Sequence, residues 1–149
     1  MKKKHPIQIL LTNDDGIHAE GILRLAETLS GLGDVYVCAP EGQRSASGHS
    51  ITVRDPISME EIRLPHARIA MQFSGTPADC VKMGLQLLRQ RGVEIDVVYS
   101  GINHGGNLGD DITYSGTVAA AMEANLMGIP SLAVSLATYG PTDHFPDAA

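Results

Sequence analysis

Three polar clusters in this chain could do chemistry, and each follows a short apolar run. The first is Thr12-Asn13-Asp14-Asp15-Gly16, which sets two adjacent carboxylates behind the run 7–12. Neighbouring negative charges repel, so they shift one another's pKa or take up a cation. Oxygen-only donors suit Mg²⁺ or Mn²⁺ better than Zn²⁺. The bland alternative is that both acids cap a helix starting near Ile17, where Asp is common. The motif alone leaves these two readings evenly matched.

The second cluster is Ser45-Ala46-Ser47-Gly48-His49-Ser50. Its hydroxyls could reach the same crevice, although by themselves they read as turn residues. There is no Gly-x-Ser-x-Gly elbow, and one residue separates His49 from Ser47, so nucleophilic serine catalysis is not expected.

The third cluster runs from Ser100-Gly101-Ile102-Asn103 through Asn107 and Asp110-Asp111 to Tyr114-Ser115-Gly116-Thr117, where a helix opens. Glycines let backbone approach a ligand closely, and the amides at a helix start attract an anion such as phosphate. Beside a cation at Asp14 and Asp15, that cradle would complete a hydrolytic site, with a Lewis acid to activate water and fixed donors for the transferring group. A flexible loop with a Ser/Thr cap is the plain alternative. Long structureless loops are uncommon in compact domains, which favours function. Asp110 and Asp111 either orient this loop or meet solvent, and His18, His66 and His144 carry no assigned role.

The elements that must position these clusters alternate strand and helix. Residues 7–12 and 35–39 read as buried parallel strands joined by a helix from Ile17 to Leu32, a βαβ unit. Residues 50–53 and 67–73 alternate as strands do, with Pro56 and Pro65 between them. Thr76-Pro77 reads as an N-cap and first helical residue, opening a helix that ends near Gly92. A strand over 96–100, a helix over 117–127 and a strand over 131–136 follow. The expected fold is α/β, a doubly wound and mainly parallel sheet in a single domain over 1–149. Its carboxyl edge would gather all three clusters.

Bulk properties narrow the classes. A chain of 149 residues with 43% hydrophobic content can bury one core. A net charge of −6 and a pI near 5.4 argue against binding a nucleic-acid polymer. The Lys2–Lys4 run precedes too short an apolar stretch for a signal peptide, and nothing approaches the roughly 18 apolar residues of a membrane span. A cytoplasmic protein without membrane association is expected. Cys38 and Cys80 read as small buried hydrophobes rather than a disulfide or zinc site.

Taken together, Leu11-Thr12-Asn13-Asp14-Asp15-Gly16, Ala39-Pro40 with Ser45, Ser74-Gly75-Thr76-Pro77-Ala78-Asp79-Cys80, and Ser100-Gly101-Ile102-Asn103 through Tyr114-Ser115-Gly116-Thr117 resemble the survival protein SurE family. The match spans nearly the whole chain in order and spacing. The resemblance implies a Rossmann-like three-layer fold and a cytoplasmic 5′/3′-nucleotidase. Such an enzyme releases phosphate from nucleoside monophosphates with one divalent ion per site, Mg²⁺ or Mn²⁺, and short polyphosphate is a further substrate of some members. Carried onto this chain, the metal ligands fall on Asp14, Asp15, Ser45 and Asn103, and the phosphate contacts on Asn107, Ser115, Gly116 and Thr117. Asp14 and Asp15 become the catalytic pair, one of them accepting the proton of the attacking water.

The family forms homodimers or tetramers, and its chains continue beyond this point, so the resemblance implies that the C-terminal part of the family fold is absent. Glu123-Ala124-Asn125 departs slightly from a family preference for glycine soon after the glutamate.

Two rival enzymes fit less well. A sugar deacetylase would place histidine beside the acid pair, where this chain has Asn13, and a haloacid-dehalogenase-type phosphatase separates its aspartates by one residue. Outside catalysis, a nucleotide-binding module without turnover remains open.

Overall fold

The computed structural model describes residues 5–44 and 46–137. Strand β1 (Ile7–Thr12) lies at the heart of the sheet, parallel to β2 (Gly33–Pro40) on one side and β5 (Val97–His104) on the other. Its residues alternate between two helical layers, as a strand buried on both faces requires. Ile9 and Leu11 pack with Ile22, Leu25 and Leu29 of α1 (Glu20–Leu29). Leu10 points the other way, into a core with Val81, Leu85 and Leu88 of α2 (Pro77–Gln90) and Ala120 and Ala124 of α3 (Gly116–Leu126).

With β3 (Met59–Ile62), β4 (Ile69–Phe73) and β6 (Ser131–Leu136), the sheet order is β3-β4-β2-β1-β5-β6, all parallel except the β3 edge. From β1 the chain first builds outward through β2 and β4, then crosses back to build through β5 and β6. The switch point therefore lies between the carboxyl ends of β1 and β5, where such sheets open a ligand crevice. The doubly wound, mainly parallel architecture expected from sequence is the one observed.

Three local expectations need correction. Helix α1 begins at Glu20, not near Ile17, because the fully buried Ile17 spends its N–H on Pro40 O (2.8 Å) and anchors the loop to β2. Residues 50–53 form no strand. There the Thr52 N–H and hydroxyl donate to the Asp79 carboxylate (3.0 and 2.6 Å) instead of to a neighbouring strand, and Thr76 Oγ1 donates to Ser50 O (2.7 Å). The strand in this region is β3 instead. Its two glutamates hid it from pattern reading, but charge suits an exposed edge, where Glu60 accepts from Gln72 and Glu61 pairs with Arg91.

Asp79 is thus a hub as well as the N3 member of the α2 capping box with Thr76. Burial works to raise its carboxyl, yet the donors from Thr52 and Thr76 outweigh that and hold it below the ordinary carboxylate range. A depressed folded value adds stability that is complete above the unfolded Asp value of about 3.9 and is lost as pH falls through the folded one. Asp79→Ala is expected to cost about 2–3 kcal/mol in urea unfolding at neutral pH. The gap from wild type should close on acidification below about pH 4. A pH-independent gap would show that the charge is not what holds the hub.

Candidate active site

The loop after β1 is tied by its own first residue. Asn13, fully buried, accepts from Gly16 N–H (3.2 Å) and donates its amide to Gly16 O (2.8 Å), which closes a tight turn. The turn displays Asp14 and Asp15 at the mouth of the strand. Helix α1 starts after Ala19 with no side-chain cap, so neither acid caps it and the bland reading of the pair is excluded.

Asp14 is held from two elements. Its carbonyl accepts from Arg44 N–H (2.7 Å) in the loop after β2, and its Oδ1 accepts the hydroxyl of Thr117 (2.6 Å) in the first turn of α3. The bare Cα of Gly116 lets that helix approach. A β-carbon there would lie 2.8 Å from Asp14 Cβ and 3.0 Å from Asp14 Oδ2.

Asp15 is less buried and accepts from His104 N–H (3.2 Å) at the end of β5. Burial pushes its carboxyl up, the His104 amide draws it back, and the Asp14 charge raises it further. From the same strand end Asn103 donates its amide to Gly105 O (2.8 Å), so its side-chain oxygen is the atom that could ligate a metal.

Helix α3 supplies the other half. Ser115 caps it by accepting from Val118 N–H (3.2 Å), as the sequence led one to expect of a Ser/Thr start. The amides of Gly116 and Thr117, at the first two helical positions, have no intrahelical acceptor and form the anion-attracting end. The Thr117 hydroxyl is spent on Asp14 and is not free for a phosphate. The loop before the helix is ordered by a 3₁₀ turn over Gly109–Tyr114, and the Asn107 amide donates to Ser135 of β6.

Asp14, Asp15, Asn103, Asn107 and Ser115 line one open cleft of about 250 Å³, whereas Gly116 and Thr117 are buried and are not among its lining residues. Ser45 lies outside the described residues; its neighbour Ala46 lines the cleft. His49 meets Glu123 of α3 (2.8 Å), not a serine, in keeping with the absence of a hydrolase triad. His18 and His66 are exposed, Cys38 and Cys80 are buried, and His144 falls outside the described residues.

Gln43, His104, Asp111 and Tyr114 also line the cleft; sequence reading left Asp111 between orienting the loop and meeting solvent and gave the other three no role of their own. The one available signal was their position within the Gly-rich and serine loops. A larger hollow of about 480 Å³ lies at the opposite end of β1, around His5, Gln8 and Asp96. It lacks this convergence, and Asp96 is already engaged by Gln8 N–H (2.8 Å).

The donors fit a hard cation. Among the described residues no trio of His, Cys, Asp and Glu could hold a metal, so two carboxylates must be supplemented by neutral oxygens such as that of Asn103. Among the described residues no Lys or Arg lines the cleft and His104 is its one imidazole, so an entering phosphate would face Asp14, Asp15 and Asp111 with little positive charge unless an ion supplied it.

The model of the family described as survival protein SurE matches residues 9–149. The chain belongs to the survival protein SurE family. It is 55% identical over 139 residues to the 5'-nucleotidase SurE of Geobacter metallireducens, covering 93% of this chain and 53% of that protein. It is 53% identical over 143 residues to the 5'-nucleotidase SurE of Pelobacter propionicus, covering 96% and 56%. The crystal structure of the Sure protein from Aquifex aeolicus superposes with a TM-score of 0.81 at 44% identity, over 93% of this chain and 54% of that one. This SurE-family chain therefore spans about half the length of the relatives it matches. No helix among its described residues is long and apolar enough to cross a membrane.

Close approach at Gly116 gives a direct test. Gly116→Ala must push a methyl group against Asp14 and Ser47 Oγ (2.9 Å), and it is expected to destabilise the fold by about 1–3 kcal/mol in thermal or urea melts. Unchanged stability would mean that α3 and the β1 loop can separate freely.

Proposed function

We propose that this chain carries the catalytic site of a divalent-metal-dependent nucleotidase. It would hydrolyse nucleoside 5′- or 3′-monophosphates to nucleoside and inorganic phosphate, with short polyphosphate as a further substrate. One observation carries the reading. An oxygen-only cluster, Asp14, Asp15 and Asn103, and Ser115, the N-cap of α3, line one cleft at the switch point of the sheet. The names of the Geobacter and Pelobacter relatives, both 5'-nucleotidases, support it.

Asp14, Asp15, Asn103 and Ser45 would hold Mg²⁺ or Mn²⁺, which supplies Lewis-acid polarisation of the phosphoryl oxygens and of the attacking water. The chain's own residues do the rest. Asn107 and the Ser115 hydroxyl, which line the cleft, are the donors for the charge that builds on the phosphoryl group, and the buried amides of Gly116 and Thr117 add the positive end of the α3 dipole behind them. Asp14 has one oxygen committed to Thr117 and is a rigid ligand. Asp15, the more open of the two, is placed to take the proton from the water as it attacks phosphorus. The ester oxygen leaves with the nucleoside, and a proton from solvent completes the hydroxyl. A homodimer or tetramer and a cytoplasmic location belong to the same proposal.

Colorimetric phosphate release from nucleoside monophosphates tests this. Activity is expected with Mg²⁺ or Mn²⁺, is expected to vanish on chelation, and should fall at least about a hundredfold in Asp14→Asn, the loss typical of removing one strong electrostatic element. Turnover that survives either treatment would refute the mechanism. Nucleotide binding without turnover would favour a binding module.

A further inference from the structure

Three buried side-chain oxygens among the described residues have no hydrogen-bond partner: Thr12 Oγ1, Ser100 Oγ and Ser47 Oγ. The first two lie on paired residues within the sheet, at the ends of the β1 and β5 pairing. Ser47 is different, because it belongs to a surface loop yet has its hydroxyl shielded from water. An uncompensated buried hydroxyl is unfavourable and calls for an explanation.

Ser47 is held in this position by its neighbours. Gly48 N–H donates to Tyr114 O (3.2 Å), just ahead of α3, and His49 Nε2 meets the buried Glu123 carboxylate (2.8 Å) two turns along that helix. Ser50 Oγ donates back to Ser47 O (2.7 Å). The loop is therefore strapped to α3 on the C-terminal side of Ser47. Its hydroxyl rests over the bare Cα of Gly116, and Ser47 Oγ and Asp14 Oδ2 both lie within 3.0 Å of the point where a Gly116 side chain would begin.

We infer that Ser47 is a positioning residue for Asp14, donating its hydroxyl to Oδ2 while Thr117 donates to Oδ1, so that the carboxylate is fixed from both sides when the cation is bound. The inference rests on the metal-dependent reading above and deepens it. A hydroxyl has one donor to give, and Asp14 Oδ1 already has one. Direct contact with substrate is the weaker reading, because a phosphoryl oxygen in the open cleft meets Ser115 and Asn107, whereas Ser47 Oγ has no exposed surface. Hydrogen bonds to the groups that ligate a metal orient them, and losing one typically costs about 10- to 100-fold in metal affinity.

The test measures Mn²⁺ affinity by electron paramagnetic resonance of free Mn²⁺, without nucleotide, on wild type, Ser47→Ala and Ser47→Thr. Inhibition by inorganic phosphate and the melting temperature of each metal-free protein are read alongside. The expected result is Mn²⁺ binding about tenfold weaker in Ser47→Ala, wild-type affinity in Ser47→Thr, and similar melting temperatures. If Ser47→Ala does not fold, Ser47→Cys, of similar shape but a poor donor, carries the same expectation. Equal Mn²⁺ affinity in wild type and Ser47→Ala overturns the inference and leaves the nucleotidase reading standing. Weakening in Ser47→Ala and Ser47→Thr alike, or weaker phosphate inhibition with unchanged Mn²⁺ binding, overturns it in favour of packing or of substrate contact respectively. A wild type that takes up no Mn²⁺ overturns the metal reading itself, and the inference with it.

Discussion

Asp14 and Asp15 stand side by side where β1 leaves the sheet, and the turn closed by Asn13 and Gly16 holds them there. Their mutual repulsion, combined with partial burial, is the constraint around which the rest of the site is arranged. Two fixed donors act on it within the protein: the Thr117 hydroxyl on Asp14 and the His104 amide on Asp15. Each comes from a different element, α3 and β5, so the acid pair also marks where these elements meet. Neither donor carries a formal charge. Among the described residues the cleft has none of the Lys or Arg side chains that would otherwise offset three aspartates, and that deficit is the physical basis for the proposal of a cation there.

The packing around this point explains why small residues recur there. Gly116 brings the first turn of α3 against Asp14, and Gly101, at φ +139°, runs so close to β6 that a side chain would collide with Val134 O. These contacts allow β5 and α3 to converge on the mouth of β1 rather than diverge across the sheet. The strap formed by Gly48 and His49 adds the loop after β2 to the same convergence. A carboxylate pair, a free helix end and a serine loop from distant parts of the sequence thereby share one crevice.

The remainder of the domain supplies rigidity without chemistry. Ile9, Leu10 and Leu11 are all nearly inaccessible, alternating between the α1 layer and the α2 and α3 layer. The Asp79 hub secures the irregular stretch that leads into β3, and charged residues guard that edge. At the opposite edge, β6 exposes Leu132, and α3 exposes Met122 and Leu126. The sheet's functional side is thus built at its centre, where every neighbouring strand contributes backbone hydrogen bonds.

Much of this was legible in residue order. Apolar runs of strand length, Thr76-Pro77 and the Ser115 start encode local structure directly, because capping and burial depend on residues a few positions apart. The acid pair could be nominated from its own side-chain chemistry and the α3 start from its Ser-Gly-Thr opening, whereas Asn103 took its role as a ligand from the family resemblance. What residue order could not decide was partnership. That Thr52 gives its donors to Asp79 and so leaves 50–53 outside the sheet, that β3 pairs despite two glutamates, and that Thr117 turns its hydroxyl to Asp14 across more than a hundred residues all depend on groups brought together only by folding. Which acceptor a buried donor finds is a question of three-dimensional proximity, and the tertiary structure alone answers it.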